Sequence, residues 1–259
     1  MQNSIIYKNS KITYSDSGKG TAVVLLHGFL ENSTMWNEIT NELERKNRVI
    51  TIDLLGHGNS DCIGYIHTMD DMAMAVKEVV KSLRIRKFYI IGHSMGGYVS
   101  LVFSEKYPKY IKGLCLLNST AQADADERKE LRLRACKMAQ VNYDNLVKLS
   151  VSNLFTAESR EKFPLAVDQV KNEALKTTVQ SYIAATKGML LRENKESILQ
   201  TINKRLIIAG KKDTILNFES ILEESKRTNT PLYELPNGHM SHIEDKDEVV
   251  KIFKEFVKN

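Results

Sequence analysis

The sequence predicts an α/β fold: a mostly parallel central sheet with helices on both faces and an inserted helical cap. Three observations predict it. Short apolar runs alternate with helical patterns as far as residue 117, the way βαβ units read. From residue 121 to about 201 helical periodicity continues with no convincing strand. Strands resume at 206–209 and 232–235, so the sheet is picked up again after a helical interruption. The expected division is a core of residues 1–118 and 204–259 and a cap of residues 119–203.

The elements follow in order. Residues 5–7 and 11–14 suggest an opening hairpin. Residues 22–26 form an unbroken apolar run, as expected of a central strand covered on both faces. Residues 33–45 predict a helix with Ser33 or Asn32 as its N-cap. A strand at 48–52 precedes a helix at 69–83, whose apolar residues recur every third or fourth position. Residues 87–91 make the next strand, 95–106 a helix stopped before Pro108, and 111–117 a further strand. In the cap, 127–141, 143–153 and 167–185 read as helices, with 156–164 as a link. Helical patterns at 219–226 and 247–257 complete the chain.

Composition narrows the function classes. The chain has 259 residues, 42% hydrophobic and 27% charged, which is ordinary for one globular domain. The net charge of +5 is dispersed among acids, as in Asp126-Glu127-Arg128-Lys129-Glu130. No basic stripe with interleaved aromatics appears, so nucleic acid is not the expected partner. Three cysteines, Cys62, Cys115 and Cys136, argue against a disulfide framework; Cys115 reads as a core residue. No run approaches the roughly 20 apolar residues of a membrane span. Met1-Gln2-Asn3-Ser4 opens with neither a basic start nor an apolar stretch, so a cytoplasmic protein is expected.

The chemistry concentrates in Gly92-His93-Ser94-Met95-Gly96. This is a G-x-S-x-G pattern between a strand and a helix, the context a nucleophile elbow requires. The turn is so tight that anything larger than a small residue two positions either side of the serine would collide, and glycine removes that clash. The hydroxyl then lies at a helix start, where N–H groups and the helix dipole favour negative charge. His93 reads as a packing residue of the turn. An oxyanion needs two preorganised N–H donors, each worth on the order of 3 kcal/mol. Met95, after the serine, supplies one; Phe29 in His27-Gly28-Phe29-Leu30 supplies the other, with Leu30 the nearest alternative.

A serine hydroxyl needs a base. In this strand-turn-helix architecture the order is Ser, then Asp or Glu, then His. Of six histidines, His239 and His242 follow the final strand. Gly238 favours His239, because a flexible residue lets the loop reach Ser94. The acid that orients the base should follow a strand between the two, and Asp213 stands there in Gly210-Lys211-Lys212-Asp213. Asp124 and Asp126 are weaker alternatives. Asp53 follows a strand too, but precedes Ser94; Asp53, His57 and Ser60 read as turn-forming groups.

These segments together resemble the α/β-hydrolase superfamily over essentially the whole chain: His27 to Phe29, Asp53 to Ser60, Gly92 to Gly97, Gly210 to Asp213, and Gly238-His239. The chain is similar to small bacterial esterases with a helical cap, such as pimeloyl-ester carboxylesterases. It also resembles the menaquinone-pathway lyase and the C–C bond hydrolases of the same fold. The resemblance implies no metal and no organic cofactor. Three functions follow as expectations. The first is hydrolysis of a small-molecule ester of small to medium acyl length through an acyl-enzyme. The second is C–C cleavage or elimination on an acidic metabolite, with cap groups such as Arg132 and Arg134 facing it. The third is a ligand receptor without catalysis. Oligomeric state is not legible in the sequence.

Overall fold

A computed structural model of the protein describes residues 2–258. One eight-stranded sheet organises the chain, in the order β1-β2-β4-β3-β5-β6-β7-β8. The strands are β1 (Gln2–Tyr7), β2 (Ser10–Gly18), β3 (Thr21–Leu26), β4 (Asn47–Ile52), β5 (Phe88–His93), β6 (Ile111–Leu117), β7 (Arg205–Gly210) and β8 (Leu232–Leu235). β2 pairs antiparallel with β1 and β4; all other neighbours are parallel.

The helices alternate with the strands. α1 (Asn37–Leu43), α2 (Met69–Ser82) and α3 (Met95–Lys106) follow β3, β4 and β5. Between β6 and β7 come α4 (Asp126–Ala139), α5 (Tyr143–Ser152), α6 (Ala157–Lys162), α7 (Pro164–Ala174), α8 (Val179–Leu190) and α9 (Glu196–Thr201). α10 (Phe218–Thr228) joins β7 to β8, and α11 (Ser241–Glu244) and α12 (Lys246–Phe256) close the chain. Among the described residues no helix is long and apolar enough to cross a membrane.

Strand periodicity explains the layers. Successive side chains of a strand point to opposite faces. Val23, Leu25, Tyr89, Ile91, Cys115 and Leu117 therefore join one apolar cluster with Trp36, Ile39 of α1 and Phe253 of α12. Val24, Leu26, Ile90, Leu114 and Leu116 join the other, with Met72 and Val76 of α2 and Val99 and Phe103 of α3. A third cluster lies within the helical insert, where Val147, Val151, Phe155, Val167 and Tyr182 meet Leu30 and Met240.

Four expectations need correction. The single helix expected at 167–185 is two, α7 and α8. Thr178 is extended (ψ 157) and its hydroxyl accepts from Ser181 N–H, so it starts a new helix. The link expected at 156–164 contains α6, capped in the same way by Thr156. The helix expected at 33–45 opens as a 3₁₀ turn, Ser33–Trp36, capped by the Asn32 side chain, and α1 ends at Leu43. The opening hairpin is longer than its apolar residues suggested, with β2 reaching Gly18.

The strand order positions the site. From β3 the chain moves to β4 on one side and then to β5 on the other. In open α/β sheets such a reversal opens a crevice at the carboxyl ends of the strands. Leu26 and Gly92 are in register there, so the loops after β3 and β5 emerge side by side.

Candidate active site

Ser94 sits alone between β5 and α3, with φ 48 and ψ −115. A non-glycine residue at positive φ stores strain of order 1–3 kcal/mol, so packing must hold it. A Cβ at Gly92 would lie 2.3 Å from the Gly96 carbonyl, and one at Gly96 would lie 2.3 Å from the Leu26 carbonyl oxygen. Only glycines let these three strands of backbone meet. Ser94 N–H donates to the Leu117 carbonyl at 3.0 Å, and the Ser94 carbonyl accepts from Gly97 N–H at 2.9 Å and the Ser119 hydroxyl at 2.7 Å.

The residues expected as base and acid converge on this turn. Ser94 Oγ lies 3.0 Å from His239 Nε2, and His239 Nδ1 lies 2.8 Å from Asp213 Oδ2. A carboxylate only accepts, so Nδ1 carries the hydrogen and Nε2 presents its lone pair to the hydroxyl. Asp213 follows β7 and His239 follows β8, adjacent parallel strands. Asp213 Oδ1 accepts from Ile215 N–H at 2.7 Å and Leu216 N–H at 3.0 Å. Burial pushes the Asp213 carboxyl up, but His239 and these amides outweigh it and hold it below the usual carboxylate range.

Sequence reasoning missed several supporting residues. Asn118 Nδ2 donates to Asp213 Oδ2 and to the Gly238 carbonyl, each at 3.1 Å, tying acid to base loop. Glu31 Oε2 accepts from Gly28 N–H at 2.7 Å and from His93 Nδ1 at 2.7 Å. His93 Nε2 lies 3.0 Å from the His239 carbonyl. Both of His93's partners are acceptors, so both its nitrogens carry hydrogen and the ring is an imidazolium. Burial acts against that charge, yet the Glu31 carboxylate raises the His93 pKa. Burial likewise pushes Glu31 up, and His93 overrides it, bringing Glu31 to about 2. One buried ion pair thus links the loop after β3, the turn at Ser94 and the loop after β8. The signal available for Glu31 was its place in His27 to Asn32, beside the expected oxyanion donor.

Phe29 and Leu30 line one cavity with Ser94 and His239. Leu30 has φ 63, a second strained residue. Met95 is the first residue of α3, so its N–H has no acceptor in its own helix. His27 Nε2 accepts from Leu54 N–H at 2.9 Å, leaving Nδ1 to donate to the Gly28 carbonyl at 2.7 Å. Asp53 accepts from Ser33 N–H and Asn59 N–H, and the Ser60 hydroxyl donates to the Asp53 carbonyl at 2.6 Å. His57 packs against His27 with tilted rings and edge-on to Phe29, at 5.2 and 5.9 Å between ring centroids.

The alternatives lie elsewhere. His242 is buried 3.9 Å from Glu31, and burial lowers its pKa to about 3. Asp124 pairs with Arg132 and Arg192, and Asp126 with Lys129. Glu31, His93 and His242 bring potential metal-binding atoms within 4.8 Å of one another; with both nitrogens donating, His93 has no lone pair for an ion.

The cavity over Ser94 has a volume of about 240 Å³. Tyr98, Leu154, Met189 and Ile215 give it apolar walls, and Arg128 and Arg132 reach it from α4. Arg134 does not: it is 74% exposed and pairs with Glu130. A larger cleft of about 440 Å³, between Asn32 and Glu173, does not include Ser94.

A family model described as alpha/beta hydrolase fold matches residues 21–246. The 3-oxoadipate enol-lactonase 1 of Acinetobacter baylyi is 25% identical over 243 residues, covering 92% of this chain and 89% of that protein. Uncharacterized proteins of Mycobacterium tuberculosis and Mycobacterium bovis are 35% identical over 103 residues, 40% of this chain; the match spans only 30% of their length. A solved thermophilic esterase from Thermogutta terrifontis, with malate bound, superposes with TM-score 0.92 at 26% identity, covering 99% of this chain and 98% of that one.

Proposed function

The chain belongs to the alpha/beta hydrolase fold family, and on that premise we propose that it is a serine hydrolase of carboxylic esters with small to medium acyl groups. The observation that carries the reading is the unbroken chain from Ser94 Oγ through His239 to Asp213, at 3.0 and 2.8 Å. Ser94 Oγ attacks the ester carbonyl while His239 Nε2 takes its proton. The Phe29 and Met95 amides hold the oxyanion. His239 returns the proton to the departing alcohol, leaving an acyl-enzyme on Ser94. Water, deprotonated by His239, then releases the acid and restores the serine. Asp213 keeps the His239 tautomer and stabilises its imidazolium. The helices of residues 119–203 act as a cap that closes the cavity. The esterase and enol-lactonase relatives support ester or lactone cleavage.

A second reading, C–C cleavage or elimination on an acidic metabolite, is favoured by Arg128 and Arg132 in the same cavity. One experiment separates the two. A fluorophosphonate probe should label the wild type and not Ser94→Ala, and activated short-chain esters should turn over, with kcat falling at least about 10⁴-fold in Ser94→Ala. Labelling without ester turnover would transfer the case to the second reading. Ligand binding with neither label nor burst would favour a non-catalytic receptor.

A further inference from the structure

The cap side of the cavity carries more positive charge than the protein neutralises. Arg128 and Arg132 are four residues apart on α4 and so share a face. Arg192 joins them from beyond α8. Their common counter-ion is Asp124, whose side chain is 1% exposed. Asp124 Oδ1 binds Arg192 Nη2 at 2.7 Å and Oδ2 binds Arg132 Nε at 2.6 Å. Arg128 Nε stands 3.7 Å from Oδ1, too far for a hydrogen bond. Three guanidiniums thus share one directly paired carboxylate. Glu224, a nearby buried carboxyl, is hydrogen-bonded by Thr120, Ala121 N–H and Gln122 and acts on Arg192 only through space, so at least one of the three positive charges is left without a counter-ion.

The three arginines differ in availability. Arg192 is occupied: its guanidinium lies 3.8 Å from the Tyr98 ring centre, and Nη1 donates to the Gln122 carbonyl at 2.6 Å. Arg128 donates only to the Ile215 carbonyl among the described residues, at 3.1 Å, and its side chain is 36% exposed. Both Arg128 and Arg132 line the cavity that contains Ser94. Burial lowers the Arg128 pKa, and Arg132 beside it adds to the effect. An anion seated there would offset both by direct attraction. Guanidinium is a planar fork that matches a carboxylate in two parallel hydrogen bonds.

We propose that this cavity selects esters or lactones bearing a second, free carboxylate, held by Arg128 with Arg132 beside it while the ester carbonyl meets Ser94. The proposal rests on the reading of Ser94 as the reacting centre, and it makes Arg128 a specificity-determining residue. The free carboxylate supplies the charge that Asp124 alone does not.

The test compares two p-nitrophenyl esters of one chain length on the full chain: the valerate, which is neutral, and the glutarate half-ester, which ends in a carboxylate. The wild type should favour the half-ester by about tenfold or more in kcat/KM. That advantage should shrink between about 0.05 and 0.5 M salt. Arg128→Met should reduce the ratio of the two by about tenfold, chiefly through the KM of the half-ester, and Arg128→Lys should restore part of it. A wild-type ratio of one or less, a ratio indifferent to salt, or an unchanged ratio in Arg128→Met would overturn the proposal. Failure of the hydrolase reading looks different: Ser94 takes no fluorophosphonate and neither ester turns over. Calorimetry with glutarate then decides, since binding weakened in Arg128→Met supports the anion site and absence of binding overturns it.

Discussion

On the floor of the cavity charge is held in closed pairs, whereas on its roof three arginines share one carboxylate. The floor joins Glu31 to His93 at 2.7 Å and Asp213 to His239 at 2.8 Å, with all four side chains at most 4% exposed. The roof leaves Arg128 36% exposed beside an Asp124 already bound by two neighbours. The difference fits the roles proposed for the two parts. Proton transfer needs fixed geometry, and strand ends with paired charges supply it. Recognition needs charge held in readiness for a ligand, and a helix face supplies that.

Replacing a floor group should therefore damage chemistry or stability, while replacing Arg128 shifts preference. Among floor changes that keep both the serine and its base, Asp213→Asn carries the largest expected effect. The amide turns an N–H toward His239 Nδ1 and favours the wrong tautomer, so kcat should drop by about 10³- to 10⁴-fold in steady-state ester kinetics. Activity within tenfold of wild type would mean that the floor pair does not set the tautomer.

Glu31→Ala strands the His93 imidazolium in a buried site. The expected cost is about 3–5 kcal/mol, read as a lowered urea midpoint. A loss below about 1 kcal/mol would show that the pair does not bind the three loops together.

The smallest effect is a titration. His242 is buried and neutral, with its pKa lowered from 6.5 to about 3. Below pH 6.5 the unfolded chain takes up this proton and the folded one does not. Stability is therefore complete above that point and declines as pH falls toward 3. Between pH 7.5 and 5.5 the wild type should lose about 1.4 kcal/mol more than His242→Gln in paired urea titrations. Parallel losses would place a proton on His242 already and weaken the account of a neutral His242 beside the Glu31–His93 pair.

How much of this was legible varies by element. The apolar runs at β3, β5 and β6 are buried on both faces, so their sequences announce them. Ser94 and Asp213 were legible because each sits just past an apolar run, and His239 because it follows the last strand, after Gly238, in the order the turn requires. The break at Thr178 was not, since apolar residues continue on both sides and no glycine or proline marks it; a hydroxyl cap does. The role of Glu31 was only hinted at by its place beside the expected oxyanion donor, because its ion-pair partner His93 lies 62 positions away. Among the cap arginines spacing was the missing guide: Arg132 shares its face with Arg128, four residues earlier, while Arg134 points into solvent.

Leu30 and Met240 belong to the apolar cluster of the insert, together with Phe155 and Tyr182. They also stand next to Phe29 and His239. The insert is consequently no detachable module. Exchanging it for a relative's version would have to preserve sockets for these two side chains, or the chimaera would lose the alignment of its own reacting groups along with its selectivity. Diversification of such a scaffold is then freest at positions like Arg128, which face the cavity without anchoring either loop.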